Sequence, residues 1–183
     1  MVKSRVAHAS GFSLIELMMV VALAATVLAI AVPVFRDLAE SQRLSAATSA
    51  VERELQAARL KAVSSNQTMR VWFNCPAAGQ YRTVEVLGSA ADTAADRCSP
   101  ATYPYPAPDT DVMTRPNQDG PLRYVMNQAT VSTAVVQFRS DGTAREVVGG
   151  VAQGIAATLD ITVTRKGITK TVTINALGKV QKQ

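Results

Sequence analysis

Histidine is almost missing from this chain of 183 residues: only His8 is present, close to the N-terminus. Imidazole is the commonest general base near neutral pH and the commonest transition-metal ligand. A chain with none beyond residue 8 is therefore a poor candidate for acid–base or metal-assisted catalysis. The other signatures of chemistry are missing too. No Ser-x-x-Lys or Gly-x-Ser-x-Gly string occurs, and no glycine-rich loop is set to cradle a phosphate. Asp109-x-Asp111 and Asp119-Gly120 lack the spacing and closing Glu of a calcium loop, and read as solvated turn residues. No enzyme activity, cofactor, metal or small-molecule substrate is implied. The net charge is +5. Removing residues 1–11 takes Lys3 and Arg5 with it and leaves 17 basic against 14 acidic side chains, a net +3. That is too weak by itself to indicate a nucleic-acid partner.

What the sequence does have is one long apolar run. Phe12 to Phe35 covers 24 residues with a single charge, Glu16. At ~1.5 Å per residue this spans a ~30 Å hydrocarbon core with a little tilt. The basic leader before it, residues 1–11, keeps the N-terminus cytoplasmic and sends the rest across the membrane. An ordinary secretory signal has its small-residue cleavage site after the apolar region; here the small residue, Gly11, precedes it. Cleavage at Gly11 leaves the greasy helix on the mature protein.

The helical pattern continues beyond the membrane-length run. Residues 36–65 contain neither Gly nor Pro, and Leu44, Thr48, Val51, Leu55, Ala58 and Ala62 mark one stripe in steps of three and four. Ser64-Ser65-Asn66 reads as the stop. Pro33, inside the run, either kinks the helix as a tolerated break or is a point of local melting. From residue 66 to 183 the period is two, which predicts a β-rich domain and an α+β fold of one long helix packed on an antiparallel sheet. Strands are expected at Met69–Phe73, Tyr81–Leu87, Leu122–Met126, Val131–Arg139 and Arg145–Val148, with a break at Gly149-Gly150. A terminal hairpin is expected to turn at Arg165-Lys166-Gly167. Lys170 interrupts the apolar parity of that hairpin, as an edge-strand guard would. Residues 88–121 hold most of the prolines and read as a long surface loop. Cys75 and Cys98 are the only cysteines. An even pair beyond a membrane segment suggests one disulfide in an oxidising compartment, worth about 3 kcal/mol; the alternative is two buried thiols in a cytosolic domain.

The string GFSLIELMMVVALAATVLAIAVP resembles the class III signal of type IV pilins and type II secretion pseudopilins. It has the short basic leader, Gly11 before the cut, Phe12 after it, Glu16 as fifth mature residue and Pro33 as the twenty-second. The resemblance implies the type IV pilin fold, cleavage between Gly11 and Phe12 by a membrane-embedded prepilin peptidase, and N-methylation of Phe12. It also implies an inner-membrane anchor, a periplasmic C-terminal domain and assembly with other major and minor pilins. Physics supplies a role for Glu16. A carboxylate in hydrocarbon is expensive, and cleavage creates a positive amine at Phe12 for a neighbouring subunit's Glu16 to pair with, setting axial register. Ser41–Ser65 running into a strand, Val136-Gln137-Phe138 before Gly142, and the end Asn175-Ala176-Leu177-Gly178-Lys179-Val180 resemble the GspH/FimT group of minor pilins and pseudopilins.

Some members of that group bind DNA through a Gly-Arg-x-Arg motif. Here Lys179 and Gln181 stand where the arginines would be, and lysine lacks the arginine fork. Arg165, Lys166, Lys170, Lys179 and Lys182 form a candidate phosphate-binding patch beside the simpler reading of a solvated basic edge. The expected function is a type IV pilus minor pilin, with a type II secretion pseudopilin and a DNA-binding uptake subunit as alternatives.

Overall fold

The computed structural model describes residues 13–107 and 118–183. The leader 1–11, the Gly11–Phe12 junction and the Asp109-x-Asp111 pair lie outside the described residues. The chain divides into two units, Met1–Ala39 and Glu40–Gln183. Helix α1 runs from Leu14 to Ser65. Among the described residues ten strands follow in chain order: β1 Met69–Phe73, β2 Gln80–Glu85, β3 Arg123–Tyr124, β4 Thr130–Val131, β5 Val135–Phe138, β6 Ala144–Val148, β7 Val151–Gly154, β8 Thr158–Arg165, β9 Ile168–Asn175 and β10 Val180–Lys182. The α+β class expected from the sequence is the one observed.

Within the second unit, α1 buries Leu44, Ala47, Thr48, Val51, Leu55, Ala58 and Ala62. These are the stripe positions of the sequence plus Ala47. Thr48 is tolerated in this apolar row because its hydroxyl donates to the Leu44 carbonyl at 2.9 Å. The helix stops where Ser64-Ser65-Asn66 predicts. Asn66 takes a left-handed φ of 53°. Its N–H reaches the Val63 carbonyl while that of Gln67 reaches Ala62, closing the end as a Schellman motif.

The strands form two antiparallel sheets, one ordered β3-β2-β1-β5-β6-β7 and the other β10-β9-β8-β4. Alternation sends Met69, Val71 and Phe73 of β1 and Val136 and Phe138 of β5 inward from the first sheet. Ile161, Val163, Val172 and Ile174 come from the second. All of these join the helix stripe in a single apolar core.

The expected strand Val131–Arg139 is two strands in different sheets. The chain leaves β8 at Ser132, whose N–H bonds the Thr162 carbonyl, and enters the other sheet at Ala134, which accepts from Phe73 N–H. The expected strand Leu122–Met126 shrinks to β3 because Asn127 and Gln128 turn left-handed. Gly149-Gly150 does not simply break the chain. Its positive φ values, 58° and 84°, make the two-residue turn of a β6–β7 hairpin. Lys170 does not guard an edge. β9 lies between β8 and β10, and Lys170 donates inward to Ser45 Oγ on the helix at 2.5 Å.

The loop is also more than surface. Asp119 is buried rather than solvated. Its carboxylate accepts a forked pair of bonds from the Arg97 guanidinium and the backbone N–H of Glu85. Arg82, fully buried, donates to the carbonyls of Gly120, Cys98 and Ser99. Arg97 also lies over the Tyr103 ring at 4.5 Å. The Cys75–Cys98 disulfide is formed. Together they lash the described parts of residues 88–121 over β1 and β2.

Candidate functional site: the assembly helix and its basic neighbours

The first unit begins with Ser13, whose carbonyl accepts the first helical bond, from Leu17 N–H. Between Glu16 and Arg36 there is no ionisable side chain. That interval of 20 residues rises ~30 Å, so Glu16 and Arg36 mark the two ends of a hydrocarbon-thick segment. Glu16 therefore occupies an end rather than the centre, where its charge costs least. The one hydroxyl in the segment, on Thr26, is turned back to the Leu23 carbonyl at 2.8 Å. Pro33 lies inside the helix. Having no N–H, it leaves the Ala29 carbonyl without its helical donor.

Side chains all round this segment are exposed, among them Leu14, Met18, Leu23, Ile30 and Phe35. A helix apolar on every face is stable in water only if something outside it covers those faces. It is also long and apolar enough to cross a membrane.

The basic patch expected near the C-terminus is largely committed to the helix instead. Arg165 Nε donates to Glu40 Oε2 at 2.6 Å, and Lys166 Nζ to Glu40 Oε1 at 3.1 Å. These two cations, Arg165 first, hold the Glu40 carboxyl down at about 2, against a small opposing push from burial. Lys170 and Lys182 reach Ser45 and Ser49, one helical turn apart. Lys179 stands apart as an exposed residue whose backbone N–H bonds Asn175. The helix thus presents Glu40, Ser45 and Ser49 as acceptors for four of the five candidate cations. They work as fasteners between α1 and β8–β10, which leaves little free charge for a phosphate. Nothing local in the sequence marks this, because the partners are more than 100 residues apart.

A second fastener escaped sequence reading. Arg59 Nε donates to the Gly142 carbonyl and its terminal nitrogen to the Leu177 carbonyl, tying two turns to the helix. The fit is tight enough to demand glycine at 178: a Cβ there would sit 2.1 Å from the Gly142 oxygen.

Residues 47–178 match the family described as type II transport protein GspH. Residues 7–32 match the prokaryotic N-terminal methylation motif, which includes Gly11, Phe12 and Glu16. No curated protein matches the chain. Among solved structures it is similar to the type IV minor pilin FimU of Pseudomonas aeruginosa in two crystal forms. One is 13% identical, covering 80% of this chain and 92% of that one, with a TM-score of 0.47. The other is 12% identical, covering 76% and 91%, with a TM-score of 0.43. The family match spans most of the chain, on a long helix and antiparallel sheets: the protein belongs to the GspH family of minor pilins and pseudopilins, a family of structural subunits rather than enzymes.

Proposed function

We propose that this protein is a minor pilin of a bacterial type IV pilus. It is made as a prepilin with residues 1–11 as leader, cut between Gly11 and Phe12 by prepilin peptidase and N-methylated on Phe12. It is held in the inner membrane by residues 12–35 with residues 66–183 in the periplasm, and then drawn into the filament by helix packing. The observation that carries this reading is an apolar segment exposed on every face, bearing one carboxylate at its start, within a matched methylation motif. Such a helix exchanges lipid for neighbouring helices at little cost, since both are apolar. Glu16 supplies what a greasy surface lacks, a single register-setting contact to the Phe12 amine of an adjacent subunit.

Mass spectrometry of the chain recovered from its host tests the processing. The mature protein is expected to begin at methylated Phe12, and an intact Met1 in a strain with normal fibres overturns the reading. Membership of a type II secretion machine is a second reading, favoured by the description of the matched family. Complementation of twitching-defective against secretion-defective strains separates the two.

A further inference from the structure

Among the described residues of the second unit four arginines are buried, Arg70, Arg82, Arg97 and Arg165. Three have a carboxylate: Arg82 and Arg97 share Asp119, and Arg165 has Glu40. Arg70, 4% exposed, makes no ion pair among the described residues. Its two terminal nitrogens donate to neutral acceptors, the Asp92 backbone carbonyl at 2.6 Å and Gln137 Oε1 at 3.1 Å. Its Nε–H is buried with no acceptor among the described residues. The Asp92 carboxylate attracts Arg70 from a distance, short of an ion pair, and is itself held by the backbone N–H groups of Leu87, Gly88 and Ser89. A buried cation of this kind calls for a partner, since guanidinium groups taken out of water are otherwise paired.

Arg70 lines a cavity of about 530 Å³ on the face of the six-stranded sheet turned away from the core. Trp72, two residues along β1, stands on the same face, as does Val147, two residues along β6 from Arg145, and Thr93, Thr133 and Val135 complete the lining that matters here. One side is closed by the β6–β7 turn, which comes so near the loop that a Cβ on Gly150 would lie 2.8 Å from Thr93 Cγ2. Glu146 also borders the cavity. Its register partner is Val136, whose side chain is in the core, so its own side chain starts from the opposite face of the sheet to that of Arg70. Arg145, opposite Gln137, stands on the face of Arg70 and adds positive charge there. The volume is that of a small-molecule site, apolar walls around a few convergent donors.

We propose that this cavity binds a small carboxylate ligand with an apolar body. The carboxylate takes the N–H donors of the Arg70 terminal nitrogens that Asp92 and Gln137 leave free, and the body lies against Trp72, Val135 and Val147. A peptide C-terminus and an acidic sugar share this chemistry.

Trp72 is the only tryptophan of the chain, so its emission reports on the cavity itself. The full-length protein in neutral detergent micelles is titrated with trigalacturonate and with Gly-Leu-Val, and with their neutral counterparts galactotriose and amidated Gly-Leu-Val. A saturable emission change is expected for at least one acid probe, with its neutral counterpart at least about tenfold weaker. Which acid probe binds identifies the source. Arg70→Gln is expected to abolish the response. Because Arg70 is buried, Val147→Asp in the half-buried wall provides an independent variant; it should weaken the acid probe about tenfold while Val147→Lys does not. The proposal is overturned if neither acid saturates by about 10 mM, if neutral and acid probes titrate alike, or if Val147→Asp, its thermal unfolding unchanged, binds as wild type.

Discussion

The two parts of α1 share a secondary structure and differ in nearly everything else. Residues 14–38 are almost wholly apolar and exposed on all sides, whereas residues 40–65 are mixed in polarity and bury one stripe in a shared core. Hydrophobicity and burial therefore run in opposite directions along one helix. In the second unit the apolar stripe is satisfied by the chain's own sheets. In the first, none of the described residues of the unit covers the side chains, so their free energy is collected from lipid or from other subunits. The chain thus keeps its stability in the second part of the helix and its capacity to associate in the first.

Four perturbations sharpen or break that contrast. The largest effect is expected at the hidden charge cluster. Asp119→Asn leaves Arg82 and Arg97 buried without a carboxylate and should cost about 3–5 kcal/mol in denaturant unfolding of the second unit. Nearly as large is a paired test on the helix. Leu55→Ala removes a fully buried side chain and should cost roughly 3–4 kcal/mol, while Leu23→Ala, exposed in its own unit, should leave the same transition within about 0.5 kcal/mol. If both leucines behave alike, the contrast between the two parts fails. Replacing both Cys75 and Cys98 by Ser should cost about 3 kcal/mol in the same assay, since the bridge closes a loop across a separation of 23 residues.

The smallest effect is pH-dependent. Glu40 has its carboxyl lowered from 4.5 to about 2 by Arg165 and Lys166, so the folded state favours its ionised form. The stability this adds is fully present above the unfolded value and is lost as pH falls from about 4.5 towards 2. The difference in unfolding midpoint between wild type and Glu40→Gln should therefore be constant at neutral pH and shrink to nothing near pH 2. A difference that grows on acidification would contradict the ion pair.

Much of the architecture was legible in advance, for a physical reason visible at particular residues. Leu44 through Ala62 repeat at helical spacing, and Ile161, Val163, Val172 and Ile174 at strand spacing. A side chain's direction is set by backbone geometry a few residues away. Asn66 and Gly167 carry their left-handed turns in their residue type, and so does Gly149-Gly150, which turns β6 back onto β7. The Asp119 ion pairs were not legible in this way. Charged residues among prolines and glycines look the same whether they face water or Arg97.

By itself, then, the sequence determined the long helix, its two contrasting characters, the strand-rich remainder and the N-terminal methylation motif over residues 7–32, all written in local periodicity and residue type. Only the tertiary structure decided that residues 131–138 divide between two sheets, that Arg165, Lys166, Lys170 and Lys182 fasten onto the helix, and that Arg70 lies buried beside Trp72 with no ion pair among the described residues. Each of those outcomes depends on which distant segments meet, and charge pairing acts only between groups that the fold has already brought within a few ångströms.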